Sequence, residues 1–329
     1  MKTRAFICLL IAVLLVCSLL PISSSAYAVL DGADKSFAAA SEALVLLKND
    51  NKALPLTPTD KIAVFGEGQV YTDGKTGGFF LMGRGSGYFV PSETPKSPCD
   101  LLESYVSVGK LGGIYTALSD SYKTASAAGG DFAYSPTDAE YTAAAEYANK
   151  AIYIVNRTSA EGADISKANF YLTSTEQAEL EKVCAAFNGK PVIVVLNSGS
   201  MINCDFANGR VDGIYADAVI TATYLGIRGT NALCGALVGD INPSGKTVDT
   251  YAKKLEDYPS YNGFYESKDY TTYYEDIYTG YRYFETFNVD VDYPFGYGLS
   301  YTAFDISDVT YTRQTAASPL PQRLQIPVM

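Results

Sequence analysis

Three short apolar runs recur along the chain: Lys61–Phe65 (KIAVF), Ala151–Val155 (AIYIV) and Pro191–Asn197 (PVIVVLN). They show no polar alternation, the pattern of strands covered on both faces. Val211–Ala216 reads as a fourth strand. Between them the apolar spacing turns helical, at Ala38–Lys48, Asp138–Lys150, Thr173–Phe187 and Thr230–Val238, with Leu101–Ala117 weaker. Thr173 with Glu176 three residues on forms a capping box, and Gly189 is a stop signal. This alternation predicts an α/β fold over residues 29–250: a mostly parallel, doubly wound sheet with helices on both faces, a three-layer sandwich. Residues 251–308 hold many tyrosines with scattered Gly and Pro, and read as a long irregular wrap packed on the same domain. Residues 309–329 lack periodicity and read as an irregular or truncated tail.

The N-terminus has a different pattern. Lys2 and Arg4 precede an apolar run from Ala5 to Leu20, then Pro21, three serines and Ala26-Tyr27-Ala28. This is the layout of a signal peptide, residues 1–28, cleaved after Ala28 for a secreted or extracytoplasmic protein. The run is shorter than the ~20 residues a membrane span needs, so no stable membrane anchor is expected.

Composition narrows the chemistry. The 329 residues include 25 Lys+Arg and 36 Asp+Glu, a net charge of −11. That balance argues against a nucleic acid partner and against docking on an anionic membrane. There is no histidine, which excludes Ser-His-Asp and Cys-His nucleophile systems and every His-ligated metal. Beyond the signal the cysteines are Cys99, Cys184, Cys204 and Cys234, with no C-x-x-C pair, so no zinc is expected. Cys184 and Cys234 read as buried thiols, and disulfide pairing among the four stays open. No cofactor is expected.

Ligands of doubly wound sheets bind beyond the carboxyl ends of the strands. Those ends are Gly66 onward, Arg157–Asp164 and Asn197–Ser200. Gly77-Gly78 and Gly83-x-Gly85-x-Gly87 suggest a phosphate cradle, but the loop runs into Tyr88–Val90 instead of opening a helix, so a sugar-site loop fits better. Glu161 stands among small residues just after a buried strand, with Arg157 and Asp164 to set its charge. A carboxyl so placed can serve as a general acid; on residue types alone it also fits a solvated loop glutamate.

Five ordered segments point further. Ser41–Leu56 (SEALVLLKNDNKALPL) with KIAVFGEG, the loop Arg157-Thr-Ser-Ala-Glu161-Gly-Ala-Asp164, Asn242–Lys246 (NPSGK), Tyr274–Phe284 (YEDIYTGYRYF) and Phe295–Tyr301 (FGYGLSY) resemble motifs of the α/β-sandwich domain of glycoside hydrolase family 3, over about residues 35–308. The resemblance implies retaining hydrolysis of β-linked glycosides, β-glucosidase-like, with Glu161 as the acid/base and Arg157, Asp164, Gly77 and Gly78 at the substrate. It further implies that the nucleophile sits on a (β/α)8 barrel that must join this domain in cis or in trans, so this chain by itself is expected to be inactive. Two departures stand out: Ile165 follows Asp164 where the family usually has Arg, and Ala222–Gly226 (ATYLG) alters a usual Trp-Gly pair. The competing reading is a non-catalytic carbohydrate-binding or scaffold module; a flavodoxin-like nucleotide binder is the third. Tyr273, Tyr274, Tyr278, Tyr281 and Tyr283 could stack sugars, but the expectation is that they bury the wrap against the domain, with Arg282 paired to a carboxylate there. Phe295–Tyr301 is expected to be a tight terminal tie.

Overall fold

The computed structural model describes residues 24–70, 79, 81, 94–128, 133–157, 159, 166–263 and 267–303, with backbone alone for 24–31. Residues 1–23 of the proposed signal (1–28), most of the glycine-rich loop and the tail from 304 lie outside the described residues.

Six strands form the main sheet: β1 (Val45–Asn49), β2 (Lys61–Phe65), β3 (Gly113–Ile114), β4 (Lys150–Arg157), β5 (Val192–Ser198) and β6 (Ala218–Thr221). Their order is β1-β6-β5-β4-β2-β3, parallel throughout except for β1, which runs antiparallel to β6. The apolar side chains of β2, β4, β5 and β6 are all buried, as strands covered on both faces require. Helices α1 (Ser24–Ala43), α2 (Pro98–Ser107) and α6 (Gly229–Leu237) pack together. Helices α3 (Thr116–Ala127), α4 (Asp138–Tyr147) and α5 (Ser174–Ala186) pack on β2, β4 and one another, so the α/β sandwich is doubly wound as expected.

Local chemistry sets the helix starts. Ser97 accepts the N–H of Asp100 ahead of Pro98, and both Thr137/Glu140 and Thr173/Glu176 form complete capping boxes.

Three segments differ from the sequence reading. Ala38–Lys48 is not one helix: α1 stops at Ala43, the Leu44 carbonyl accepts from the N–H of Gly245, and the following residues pair with β6 as β1. Leu101–Ala117 divides into α2, β3 and the start of α3, with Gly109 at φ +73 turning the chain between them. Val211–Ala216 is a turn about Gly213 (φ +76). The strand begins only at Ala218, after Asp217 has exchanged hydrogen bonds with the backbone of Val192 on both its N–H and its carboxylate.

Two of the motif segments serve as structural ties. The N–H of Leu299 donates to the Leu46 carbonyl at 2.8 Å, closing the outer edge of β1 against further pairing. Thr247 and Pro294–Tyr297 exchange four hydrogen bonds of 2.7–2.9 Å. The backbones meet so closely that a Cβ on Gly298 would lie 2.3 Å from the Gly245 carbonyl oxygen, and one on Gly245 2.6 Å from that of Leu44. Asn242 completes the tie by accepting from Ser300 and Tyr301 and donating to Thr302. Cys99, Cys184, Cys204 and Cys234 are all buried free thiols.

The tyrosine-rich part contains an antiparallel pair, β7 (Tyr251–Ala252) and β8 (Val291–Tyr293), and a short helix, α7 (Tyr281–Thr286). Residues 253–261 lie on the loop before α5: the N–H of Leu255 donates to the Tyr171 hydroxyl at 3.2 Å, and the Lys167 ammonium sits 3.8 Å from the centre of the Tyr261 ring. Residues 268–288 differ from expectation, because only Phe284 is buried and Tyr273, Tyr274, Tyr278 and Tyr281 are exposed. Arg282 stacks over the Tyr281 ring and forms no ion pair among the described residues.

Candidate active site

From β2 the chain crosses to β3 on one side and then returns to β4 on the other. That reversal opens a crevice between the carboxyl ends of β2 and β4, where doubly wound sheets hold their ligands. The glycine-rich loop follows β2, and the Glu161 loop follows β4.

The turn after β2 is pressed onto β4. A Cβ on Gly66 would lie 2.3 Å from the Ile154 carbonyl oxygen, and one on Gly68 2.4 Å from the Ile154 side chain, so only glycine fits at either position. The Gly66 N–H donates to the Tyr122 hydroxyl, and the fully buried Gln69 is held by the Val64 carbonyl and the Ser119 hydroxyl. Glu67 sits half-buried between the two glycines, accepting the backbone N–H of Tyr134. Burial, reinforced by the nearby carboxylates Glu179 and Glu176, pushes its carboxyl up to about 7.

Arg157 ends β4. Its guanidinium pairs with Glu176 and donates to the carbonyls of Asn169 (2.6 Å) and Tyr171 (2.9 Å). Glu176 is also the capping-box residue of α5, so a single carboxylate fixes both the helix start and the arginine. Glu179, one turn further on, accepts the Tyr153 hydroxyl at 3.0 Å and the Ser135 hydroxyl at 2.5 Å. Burial holds Tyr153 well above the usual phenol range, so it stays a donor. Glu179, Ser135, Ser174 and Lys182 line a shallow groove of about 320 Å³ beside the crevice.

Tyr224, on the loop after β6, moors the loop after β4. Its hydroxyl accepts the N–H of Ser159 at 2.6 Å and donates to the Arg157 carbonyl at 3.1 Å. Gly199, at the end of β5, gives the ring its space: a Cβ there would lie 2.1 Å from the Tyr224 ring. Two residues further on, the N–H of Gly226 donates to the Leu81 carbonyl at 2.9 Å, and the N–H of Phe79 donates to Val70 at 2.7 Å. Both loops are therefore fastened within residues 224–226.

Of the residues singled out from sequence, Arg157 stands at the crevice with its guanidinium engaged as described. Glu161, Asp164, Gly77 and Gly78 lie outside the described residues; Glu161 follows Arg157 by four positions, and Gly78 directly precedes the anchored Phe79. Sequence reasoning missed Tyr224, Glu67 and Glu176 as parts of one arrangement. The Gly-Glu-Gly spacing after KIAVF was the available signal for Glu67. Among the described residues no group of three His, Cys, Asp or Glu side chains could hold a metal, and no helix is long and apolar enough to cross a membrane.

The pattern of the glycosyl hydrolase family 3 C-terminal domain matches residues 44–301. The chain belongs to that family. The family 3 domain is similar to β-glucosidase A of Butyrivibrio fibrisolvens, 37% identical over 302 residues, covering 82% of this chain and 35% of that enzyme. It is 43% identical over 167 residues to a β-glucosidase of Ruminococcus albus, covering 50% of this chain and 17% of that one. Among solved structures it resembles β-glucosidase 3B from Thermotoga neapolitana in complex with glucose, with a TM-score of 0.72 and 31% identity over 85% of this chain and 40% of that chain. The family 3 chain thus spans two fifths or less of the length of these relatives.

Proposed function

We propose that the chain is the acid/base-bearing half of an exported, retaining β-glycosidase of the β-glucosidase type. Its substrate is a β-linked glycoside or oligosaccharide, and the attacking carboxylate comes from a (β/α)8 barrel joined in cis or in trans. In retaining hydrolysis one carboxylate attacks the anomeric carbon while a second, about 5–5.5 Å away, protonates the departing oxygen. Glu161 fills the second role here, then takes a proton from water as the glycosyl intermediate is released. Asp164 and Arg157 flank it, and Gly77 and Gly78 let the sugar approach the backbone.

The observation that supports this reading is the shared mooring of the two loops. Ser159, two residues before Glu161, is bonded to Tyr224, and Leu81, three residues after Gly78, is bonded to Gly226. Both loops rise from the carboxyl ends of strands at the sheet's switch point. Arg157 contributes from below: by binding Glu176, Asn169 and Tyr171 it fixes the stem on which Glu161 stands.

The test is Glu161→Gln in a chimera in which this chain replaces the matched part of the Butyrivibrio β-glucosidase. The variant should lose at least about a hundredfold in kcat on an aryl β-glucoside with a poor leaving group, in line with general acid catalysis, and much less on one with a good leaving group. Equal turnover of both by variant and parent rejects Glu161 as the acid.

A further inference from the structure

We infer that the exposed aromatic face of residues 270–295 is the surface on which the nucleophile-bearing companion domain docks. The inference rests on the reading of this chain as one half of a glycosidase.

Eight of the large hydrophobic residues exposed on the described surface fall between 270 and 295, among them Tyr270, Tyr273 (78% exposed), Ile277, Tyr281, Phe287 and Phe295. At about 200 Å² per large side chain, with just over half of each exposed, they offer on the order of 900 Å² of apolar surface. A monomer's largest patch is about 300–600 Å², and one partner's share of a standard interface is about 800 Å². Summed along the segment, that is sufficient for one side of a standard contact.

The face is also built to be stiff. Tyr281 stacks on Phe295 with ring centres 4.8 Å apart, and Tyr278 and Tyr283 each meet Phe287 at 5.1 Å. From Tyr283 a chain of ring contacts runs inward through Phe284, Tyr258 and Phe170 to Tyr171, with successive centres 5.0–6.0 Å apart. Tyr171 is the residue whose carbonyl holds Arg157. A body seated on the outer rings is thus braced directly against the stem of the Glu161 loop.

One charged group on the same face lacks an ion-pair partner. The Arg282 guanidinium lies over Tyr281 without a carboxylate among the described residues.

The charge of the face selects the occupant. Asp269, Asp276 and Glu285 are exposed around it, against Lys268 and Arg282, while Asp290 is paired with Lys253 at 3.2 Å. A second copy would bring a chain whose net charge is also −11, which opposes self-association. The relatives supply the alternative: 65% of the Butyrivibrio enzyme lies outside the matched part, since the match covers 35% of it, and in the reading proposed above a companion domain meets the sandwich at the crevice. A domain with donors or a basic rim fits the face.

The experiment is hydroxyl-radical footprinting of Tyr273, Tyr281 and Phe295, read by mass spectrometry, in this chain alone and in the Butyrivibrio chimera. Labelling of the three rings should fall at least about threefold in the chimera. Equal labelling overturns the inference, whatever the chimera's activity. Tyr270→Ser combined with Tyr273→Ser, the two most exposed tyrosines of the face, should leave the melting of the isolated chain unchanged and lower kcat of the chimera about tenfold or more; unchanged kcat also overturns it. The isolated chain should sediment as a monomer with all three rings labelled; a dimer that protects them assigns the face to a second copy instead. Glycoside protection of the rings in the isolated chain makes it a sugar platform, which is equally fatal. Glu161→Gln separates the two readings: an active Glu161→Gln chimera with protected rings rejects the acid and keeps the docking face, while an inactive one with labelled rings does the reverse.

Discussion

Replacing Glu67 by glutamine should remove a penalty that the parent chain carries at neutral pH. The carboxyl is held at about 7 in the fold, against 4.5 when unperturbed. Between those values the native chain keeps its proton while the unfolded chain has lost it, so stability falls as pH rises through the window and levels off above it. At about 1.36 kcal/mol per pH unit the full effect is about 3.4 kcal/mol; solvent at the outer edge of a half-buried side chain trims it to about 2–3 kcal/mol. Below pH 4.5 both states are protonated and the penalty is absent. The groups that face Glu67 are Glu179 and Glu176 from α5 and the N–H of Tyr134, with Arg157 already committed to Glu176. Glutamine keeps the acceptor for Tyr134 and cannot ionise. Urea unfolding of the full chain, followed by the fluorescence of its 27 tyrosines with no tryptophan to mask them, gives the stability of both proteins at several pH values. The advantage of Glu67→Gln over the parent should grow by about 2–3 kcal/mol from pH 4.5 to 8. A difference that is flat over that range, or that shrinks, refutes the assignment of a protonated carboxyl at the crevice.

Gly199→Ala should drive a methyl into the Tyr224 ring and cost about 1–3 kcal/mol, measured by thermal unfolding; Tyr224→Phe should cost about 1–2 kcal/mol by leaving the Ser159 N–H without its acceptor, and a neutral result for both would detach Tyr224 from the loop. Gly298→Ala places a Cβ against backbone that cannot move aside and should destabilise by more than about 2 kcal/mol, whereas Gly280→Ala, with open space around it but φ +55, should cost about 1 kcal/mol for backbone strain alone. Burial pushes the thiols of Cys99 and Cys184 up to about 11, so neither should react with a maleimide at pH 7.5 in the native chain, while both react in urea; rapid native labelling, read by peptide mass spectrometry, would contradict their burial. Glu176→Gln should cost about 3 kcal/mol or more, because Arg157 is only 10% exposed and would be left charged without its partner.

The central strands were legible because β2, β4 and β5 are continuous apolar runs, whose pattern alone marks strands covered on both faces. Helix α5 was legible because its capping box is local, Thr173 and Glu176 being three residues apart. What escaped is what distant chain decides. Val45–Asn49 continues the apolar spacing of α1, and only its pairing with Ala218–Thr221 makes it a strand. Val211–Ala216 has strand-like residues, but Gly213 turns it. At the crevice, Arg157 was legible as a strand-end residue, but its tie to Glu176 spans 19 positions. The bond from Ser159 to Tyr224 spans 65, and Glu67 owes its raised value first to burial in the fold, reinforced by carboxylates more than a hundred residues away. The exposed tyrosines reverse a sound general expectation for a physical reason: the segment from 268 to 288 is seated on the domain chiefly through the buried Phe284, and most of its other rings stay in solvent.

The bond from Leu299 to Leu46 brings together residues 253 positions apart, close to the two ends of the matched region. The first strand and the last tie of the sandwich are therefore neighbours, while α1, about 30 Å long, carries the chain's entry well away from them. A module joined beyond Tyr301 starts beside β1, whereas one joined ahead of Ser24 starts a helix length away, so the span of α1 sets how far apart an upstream and a downstream neighbour stand.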